Sequence, residues 1–289
     1  MTGVADGFKQ RLKRRRAKWW GHPFRWTSAA SYTRIPHRLA ERVAWRSAND
    51  PDEAWRCCNA WPRTLINKWN GRQYALKHGC RVADLYWFGR SPRRIPFDAL
   101  PPQFVIRPVH GYGRRGVLVV ADGQELLRGG SASPSELRRH LSRDRSTRIG
   151  NRLLVEAFVR ADDGRYRLPL ECKLHMFGET VAAIQVIPRT GVDAIAQRYY
   201  TASWEPMLDR MDAASELAPL VDPPACLDEM IGHAVRLGRS LGTYMRIDFF
   251  SSDDGAVFNE FSSMPYIQPT PYCDERFGAL WREKCRDAV

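Results

Sequence analysis

The chain has 289 residues, 44% of them hydrophobic, and carries a formal net charge of +13. That length buries a sizeable core in about two domains or lobes, and that hydrophobic share excludes a disordered chain. No apolar run approaches the roughly 18 residues of a membrane span, and seven scattered cysteines, with no Cys-x-x-Cys pair, argue against a disulfide framework or a structural zinc site.

Residues 1–30 read as a basic, aromatic leader. Lys9 to Lys18 run into Trp19-Trp20-Gly21 rather than into an apolar stretch, so no secretory signal is expected and the expected compartment is the cytoplasm. Residues 9–20 also have the composition of a short helix that docks weakly on an anionic membrane surface. The other concentration of charge lies among the arginines from Arg128 to Arg152. Such charge attracts polyanions, but no nucleic-acid motif is present and no nucleic-acid partner is expected.

Residues 31–102 read as mainly helical, with a stop-and-restart signal at Asn49-Asp50-Pro51 and with Trp55, Trp61, Trp69 and Trp87 as candidate core. Pro92, Pro96, Pro101 and Pro102 mark a rigid linker.

A different texture spans 103–160. An apolar strand, Phe104 to Arg107, meets a glycine-rich loop from Pro108 to Gly116, and Val117 to Val120 returns as a second strand turned at Asp122-Gly123. The loop joins two strands rather than a strand and a helix, which argues against a Rossmann fingerprint and a P-loop. Glycines there would let backbone N–H groups close over an anion. Ser133-Pro134-Ser135-Glu136 is a capping box, which predicts a helix to about Thr147. Arg152 to Glu156 reads as another strand.

The remainder, 161–289, opens with a hairpin of Leu168 to Phe177 and Thr180 to Ile187, turned at Gly178. Alternation places Leu170, Cys172, Leu174 and Met176 on one face and Glu171, Lys173 and His175 on the other, the pattern of a half-buried strand. A helix opens at Pro224 and closes at Gly242.

The last hairpin is Arg246 to Phe250, a polar turn, and Ala256 to Glu260. With Ser251 to Gly255 unpaired, Arg246 would face Glu260 and Asp248 would face Phe258, leaving the two carboxylates as diagonal neighbours. A surface salt-bridge ladder and a divalent-cation site both fit that pattern.

Taken in order, these segments resemble the ATP-grasp superfamily, and most closely the TupA-like branch, named for teichuronopeptide biosynthesis. The resemblance rests on Phe104 to Gly113, Leu153 to Val159, Glu171 to Gly178, Tyr244 to Phe250 and Phe258 to Ser262, with Leu65 to Lys68 and Ile95 to Pro101 upstream. It implies an α+β ATP-grasp fold, in which two lobes with antiparallel sheets clasp a nucleotide, and it implies ATP and Mg2+ as cofactors. By position, Lys68, Arg107, His110, Gly111 and Gly113 would meet the phosphates, Arg107 standing where the family usually has lysine. Glu156, Ala157, Phe158 and Val159 would form the hinge beside adenine. Lys173 and Arg246 would be catalytic. Asp248 and Glu260 would hold magnesium with Ser262, which stands where many members carry asparagine. The implied reaction is ligation of a carboxylate to an amine through an acylphosphate, with small-molecule or polysaccharide-linked substrates. A kinase acting on a hydroxyl would use the same nucleotide site, and a non-catalytic binding protein could retain the fold.

Overall fold

The computed structural model describes residues 44–56, 61–111, 115–144, 152–188, 196–265, 267 and 269–285. The basic leader and Gly113 lie outside the described residues.

Two sheets organise the molecule. The smaller has the order β2-β6-β3-β4-β5, formed by Leu85–Gly89 (β2), Phe104–Pro108 (β3), Leu118–Ala121 (β4), Gln124–Glu125 (β5) and Leu153–Ala157 (β6). The larger has the order β1-β11-β10-β7-β8-β9, formed by Arg81–Val82 (β1), Glu171–Phe177 (β7), Thr180–Ile187 (β8), Arg198–Tyr200 (β9), Tyr244–Ser252 (β10) and Gly255–Ser262 (β11). All pairings are antiparallel except β1 with β11.

Local chemistry explains these elements. Asp122 and Gly123 have φ of 49° and 76°, the positive values that a two-residue hairpin turn demands. Helix α2 (Pro134–Arg143), which follows α1 (Lys68–Lys77) in the chain, starts where Ser133 Oγ accepts from the Glu136 amide at 3.4 Å and donates to Glu136 Oε2 at 2.8 Å. Leu137 and Leu141, one helical turn apart, bury against Ile106, Leu118, Leu153 and Val155 on the outer face of the small sheet. Helix α3 (Leu227–Leu241) lays Met230, Ala234, Leu237 and Leu241 on Leu174, Met176, Ile184 and Phe249. Each such side chain contributes about 1.5–3 kcal/mol when fully buried. Gly242, at φ 64°, ends the helix.

Two expectations need correction. Strand β7 is buried along its whole length rather than half-buried. The Phe177 end of its second face lies under helix α4 (Pro271–Lys284), where Phe277 packs with Phe177 and with Tyr199 and Tyr244 of the same sheet, and the Glu171–Lys173 end is covered by the charged groups of the site. The stretch read as mainly helical also supplies two strands, β1 and β2, one to each sheet. Its tryptophans do not gather into one core: Trp55 and Trp61 pack into the large-lobe core, Trp87 into the small-lobe core, and Trp69 stacks on Phe88 with ring centroids 4.3 Å apart.

Candidate active site

The site lies where the end of β3, the glycine-rich turn and the N-terminus of α1 (Lys68–Lys77) meet one face of β7, β10 and β11. Helix α1 begins at Asn67, whose Oδ1 accepts from the Trp69 amide at 2.9 Å and the Asn70 amide at 3.2 Å. A Cβ on Gly71 would fall 2.7 Å from the Leu65 carbonyl oxygen and 3.3 Å from Phe261, so glycine allows α1 to lie directly against β11. That placement brings Lys68 into the site. Its amide donates to the Val109 carbonyl at 3.1 Å, and its Nζ donates to the Gly111 carbonyl at 3.2 Å and pairs with Glu260 at 3.1 Å.

The β10–β11 register differs from the expected one. Only Asp253 and Asp254 form the turn, and Ser252 pairs with Gly255. A bulge then shifts the ladder between Asp248 and Phe249, so Asp248 faces Glu260 directly and Arg246 faces Ser262. The physical reason is packing: Phe258 and Phe261, three positions apart, both enter the core. Strict alternation cannot satisfy both, and the extra residue leaves Asn259 and Glu260 together on the site face.

Asp248 is fully buried. Its Oδ1 accepts from Arg246 Nε at 2.8 Å, and its Oδ2 accepts from Arg246 Nη2 at 2.8 Å and from Lys173 Nζ at 2.9 Å. Burial alone would raise its pKa, but the Arg246 and Lys173 cations override that and hold it at about 2. The same competition runs in Lys173 and Arg246, where burial opposes the cation but carboxylate partners push both pKa values up. The carboxyl of Glu260 is held below its ordinary value; its desolvation is outweighed chiefly by Lys68. Its side chain remains 28% exposed. Arg246 also donates to the Pro265 carbonyl at 3.2 Å.

The small lobe presents a different surface. Val105 and Arg107 alternate with Phe104 and Ile106 along β3 and face inward. Val105, Val117 and Leu168 pack with Val119, Ala121, Leu127 and Phe158 as an apolar wall. Glu156, 2% exposed, is held between Arg107 Nε at 2.5 Å and Arg72 Nη1 at 3.1 Å. The Ala157 amide donates to the Asp84 carbonyl at 2.8 Å, and Val159 is half-buried. His110 Nε2 lies 3.4 Å from Asn67 Nδ2.

Sequence reasoning missed four residues of this site. Asn67 was legible as a cap residue before a helix. Glu171 shares the parity of Lys173 on β7 and pairs with it at 2.9 Å. Arg72 and Asn259 carried no local signal, because their partners are distant in sequence.

The donor set suits one hard divalent cation. A carboxylate offers about four lone-pair sites. Three donors occupy Asp248, while Glu260 has Lys68 on one oxygen and Arg246 at 3.8 Å from the other. Among the described residues no group of three or more His, Cys, Asp and Glu side chains is placed to hold a metal. Two carboxylates would suit an ion such as magnesium, which takes few protein ligands, rather than one that needs a dedicated protein cage.

These features define a two-lobed protein whose cleft gathers cations around a carboxylate pair and sets an apolar wall beside them. The chain belongs to the TupA-like ATP-grasp family, whose sequence profile matches residues 65–279. Among solved structures it is similar to D-alanine–D-alanine ligase from Bacillus anthracis complexed with ATP, at TM-score 0.48 and 14% identity, over 76% of this chain and 64% of that one. It is similar also to the ADP complex of purK, N5-carboxyaminoimidazole ribonucleotide synthetase, at TM-score 0.47 and 12% identity, over 78% and 54%. The ATP-grasp ligase PsnB, in complex with a phosphomimetic variant of its minimal precursor, Mg and ADP, gives 0.42 and 13%, over 75% and 60%. The chain thus spans less than two thirds of each of these enzymes. No curated protein matches it. No helix among the described residues is long and apolar enough to cross a membrane.

Proposed function

We propose that the protein is an ATP- and magnesium-dependent ligase that joins a carboxylate to an amine through an acylphosphate. The observation that carries this reading is Asp248 directly opposite Glu260, ringed by Arg246, Lys173 and Lys68. A triphosphate must be neutralised before an anionic carboxylate can approach its terminal phosphorus. Magnesium, when bound, supplies part of that neutralisation as a Lewis acid.

The chain's own residues supply the rest. Glu260 is the ligand open to the cleft, and Asp248 becomes available as Arg246 or Lys173 turns from it towards phosphate. Lys68, Arg107 and Lys173 bind phosphate oxygens, with the carbonyl of Gly111 holding Lys68 in place. Arg246 faces the transferring phosphoryl group. The apolar wall around Val105, Val119 and Phe158 takes the adenine ring beside the hinge of Glu156 to Val159. The substrate carboxylate oxygen bonds to the γ-phosphorus as the bond to ADP breaks. The amine nitrogen then attacks the acyl carbon, phosphate leaves, and the nitrogen loses a proton. Positioning of the reactants within this cleft lowers the barrier to both steps.

The test is an ATP-dependent screen of carboxylates and amines, read by released phosphate and product mass. Precursors of cell-surface polysaccharides and peptide conjugates come first. An amide product with ADP and phosphate is expected; a phosphoester product without free phosphate would overturn ligation in favour of kinase chemistry.

A further inference from the structure

Arg107 stands where lysine is usual, and the difference is chemical. Lysine ends in one nitrogen, whereas guanidinium spreads its donors over three nitrogens in a rigid plane. Here the donors serve both lobes. Arg107 Nε donates to Glu156 Oε2 at 2.5 Å within the small lobe. Its Nη1 donates to Asn259 Oδ1 at 2.7 Å and to the Asn259 carbonyl at 3.3 Å, in the large lobe.

Asn259 works in both directions as well. Its Oδ1 accepts from Arg107, and its Nδ2 donates to Glu171 Oε1 at 3.0 Å. That same Glu171 oxygen lies 2.9 Å from Lys173 Nζ, which in turn meets Asp248. A side-chain amide supplies an acceptor at one end and a donor at the other. A carboxylate there would face Glu171 with no proton to give, and an aliphatic side chain would face Arg107 with no acceptor. The bulge in β11 is what puts Asn259 on this face beside Glu260.

We propose that Asn259 is a positioning residue that ties Arg107 of the small lobe to the Glu171–Lys173 pair of the large lobe, setting both the closure of the cleft and the aim of Lys173. The aim of Lys173 at phosphate rests on the ligase reading above; the tie between the lobes does not. Arginine at position 107 suits this role, because its Nε and Nη1 reach Glu156 and Asn259 as separate nitrogens fixed in one rigid plane.

The experiment is a double-mutant cycle on the full chain with Arg107→Lys, Asn259→Ala and the pair, plus Asn259→Asp. Two quantities are read: calorimetric affinity for ATP with magnesium chloride, and the urea midpoint of ligand-free protein. Each single substitution is expected to weaken ATP binding about 10-fold, and the pair also about 10-fold rather than 100-fold, because Arg107, Asn259, Glu171 and Lys173 act in series and either change breaks the same chain. The ligand-free midpoints should be non-additive in the same sense. Asn259→Asp keeps the acceptor and loses the donor. It should retain its coupling to Arg107 in urea and still lose about 10-fold in ATP affinity. Additive losses in both readouts overturn the tie while leaving the ligase reading intact. Wild-type ATP affinity in Asn259→Asp overturns the aiming of Lys173. If the wild-type protein binds no ATP, the ligase reading and the aiming role fail together, and the urea cycle alone decides the tie.

Discussion

Asp248 lies directly across the β10–β11 ladder from Glu260, yet the two carboxylates live in different surroundings. Asp248 is fully buried and held by Arg246 and Lys173, whereas Glu260 is 28% exposed and held by Lys68.

Their substitutions should therefore separate stability from chemistry. Asp248→Asn strands two buried cations and should cost about 3–5 kcal/mol of stability. Glu260→Gln should stay within about 1 kcal/mol of wild type, because its pairs are partly solvated. Both should lower magnesium-dependent turnover by orders of magnitude. Urea denaturation and single-turnover assays measure the two effects; equal destabilisation would refute the distinction between a structural and an open carboxylate.

Magnesium should govern ATP affinity. With Glu260 uncompensated by a divalent ion, its carboxylate repels the triphosphate. Calorimetry with magnesium, and again with excess EDTA, should show ATP binding strongly only in the first. Equal affinity in both would remove Asp248 and Glu260 from the metal site.

His175 makes stability depend on pH. It is fully buried, with Nδ1 3.0 Å from the Tyr244 hydroxyl and Nε2 3.3 Å from Gln185 Oε1. Burial, reinforced by the nearby Arg246 cation, lowers its pKa to about 3. The folded imidazole is thus neutral while the unfolded one titrates near its ordinary 6.5. The unfolded state binds more protons between those values, so the stabilisation is complete above pH 6.5 and declines as pH falls towards 3. The slope is at most about 1.4 kcal/mol per pH unit. His175→Asn should flatten that dependence; parallel urea curves for both proteins at pH 5 and pH 7 would refute it.

Gly238 lets α3 lie directly on the backbone at Gly178. A Cβ there would fall 2.1 Å from the Gly178 carbonyl oxygen and 3.3 Å from Met176 Cε. Alanine gains about 1 kcal/mol in helix propensity, but overpacking against backbone costs about 1–3 kcal/mol. Gly238→Ala should lower the urea midpoint, whereas a midpoint above wild type would mean that the helix shifts freely.

Nucleotide should leave a footprint on both lobes. ATP with magnesium should slow amide exchange in Val109 to Gly111 and in Glu156 to Val159, more than in α2 on the outer face of the small lobe. Protection confined to α2 would mean that the nucleotide binds elsewhere.

Much of this protein was readable along the chain. Strand alternation alone puts Lys173 with His175 and Arg246 with Asp248, because successive side chains of an extended chain must point to opposite faces. The Ser133 capping box, the Asp122-Gly123 turn and Gly242 placed α2, the β4–β5 turn and the end of α3 through their own backbone preferences. Each of these is a property of a few adjacent residues, so no partner is needed to state it.

What pairs with what was decided by the folded molecule. The bulge beside Asn259 exists because Phe258 and Phe261 both enter one core, a demand set by α1, α3 and β10 rather than by the hairpin. It moved Glu260 from a diagonal to a direct partner of Asp248. Trp55 and Trp87 joined different lobes for a similar reason, each filling the nearer core. Arg107 and Asn259 are 152 positions apart, and their bond at 2.7 Å depends on how two sheets come together. Local sterics select faces and caps; register and contacts across the cleft follow only from packing the whole chain at once.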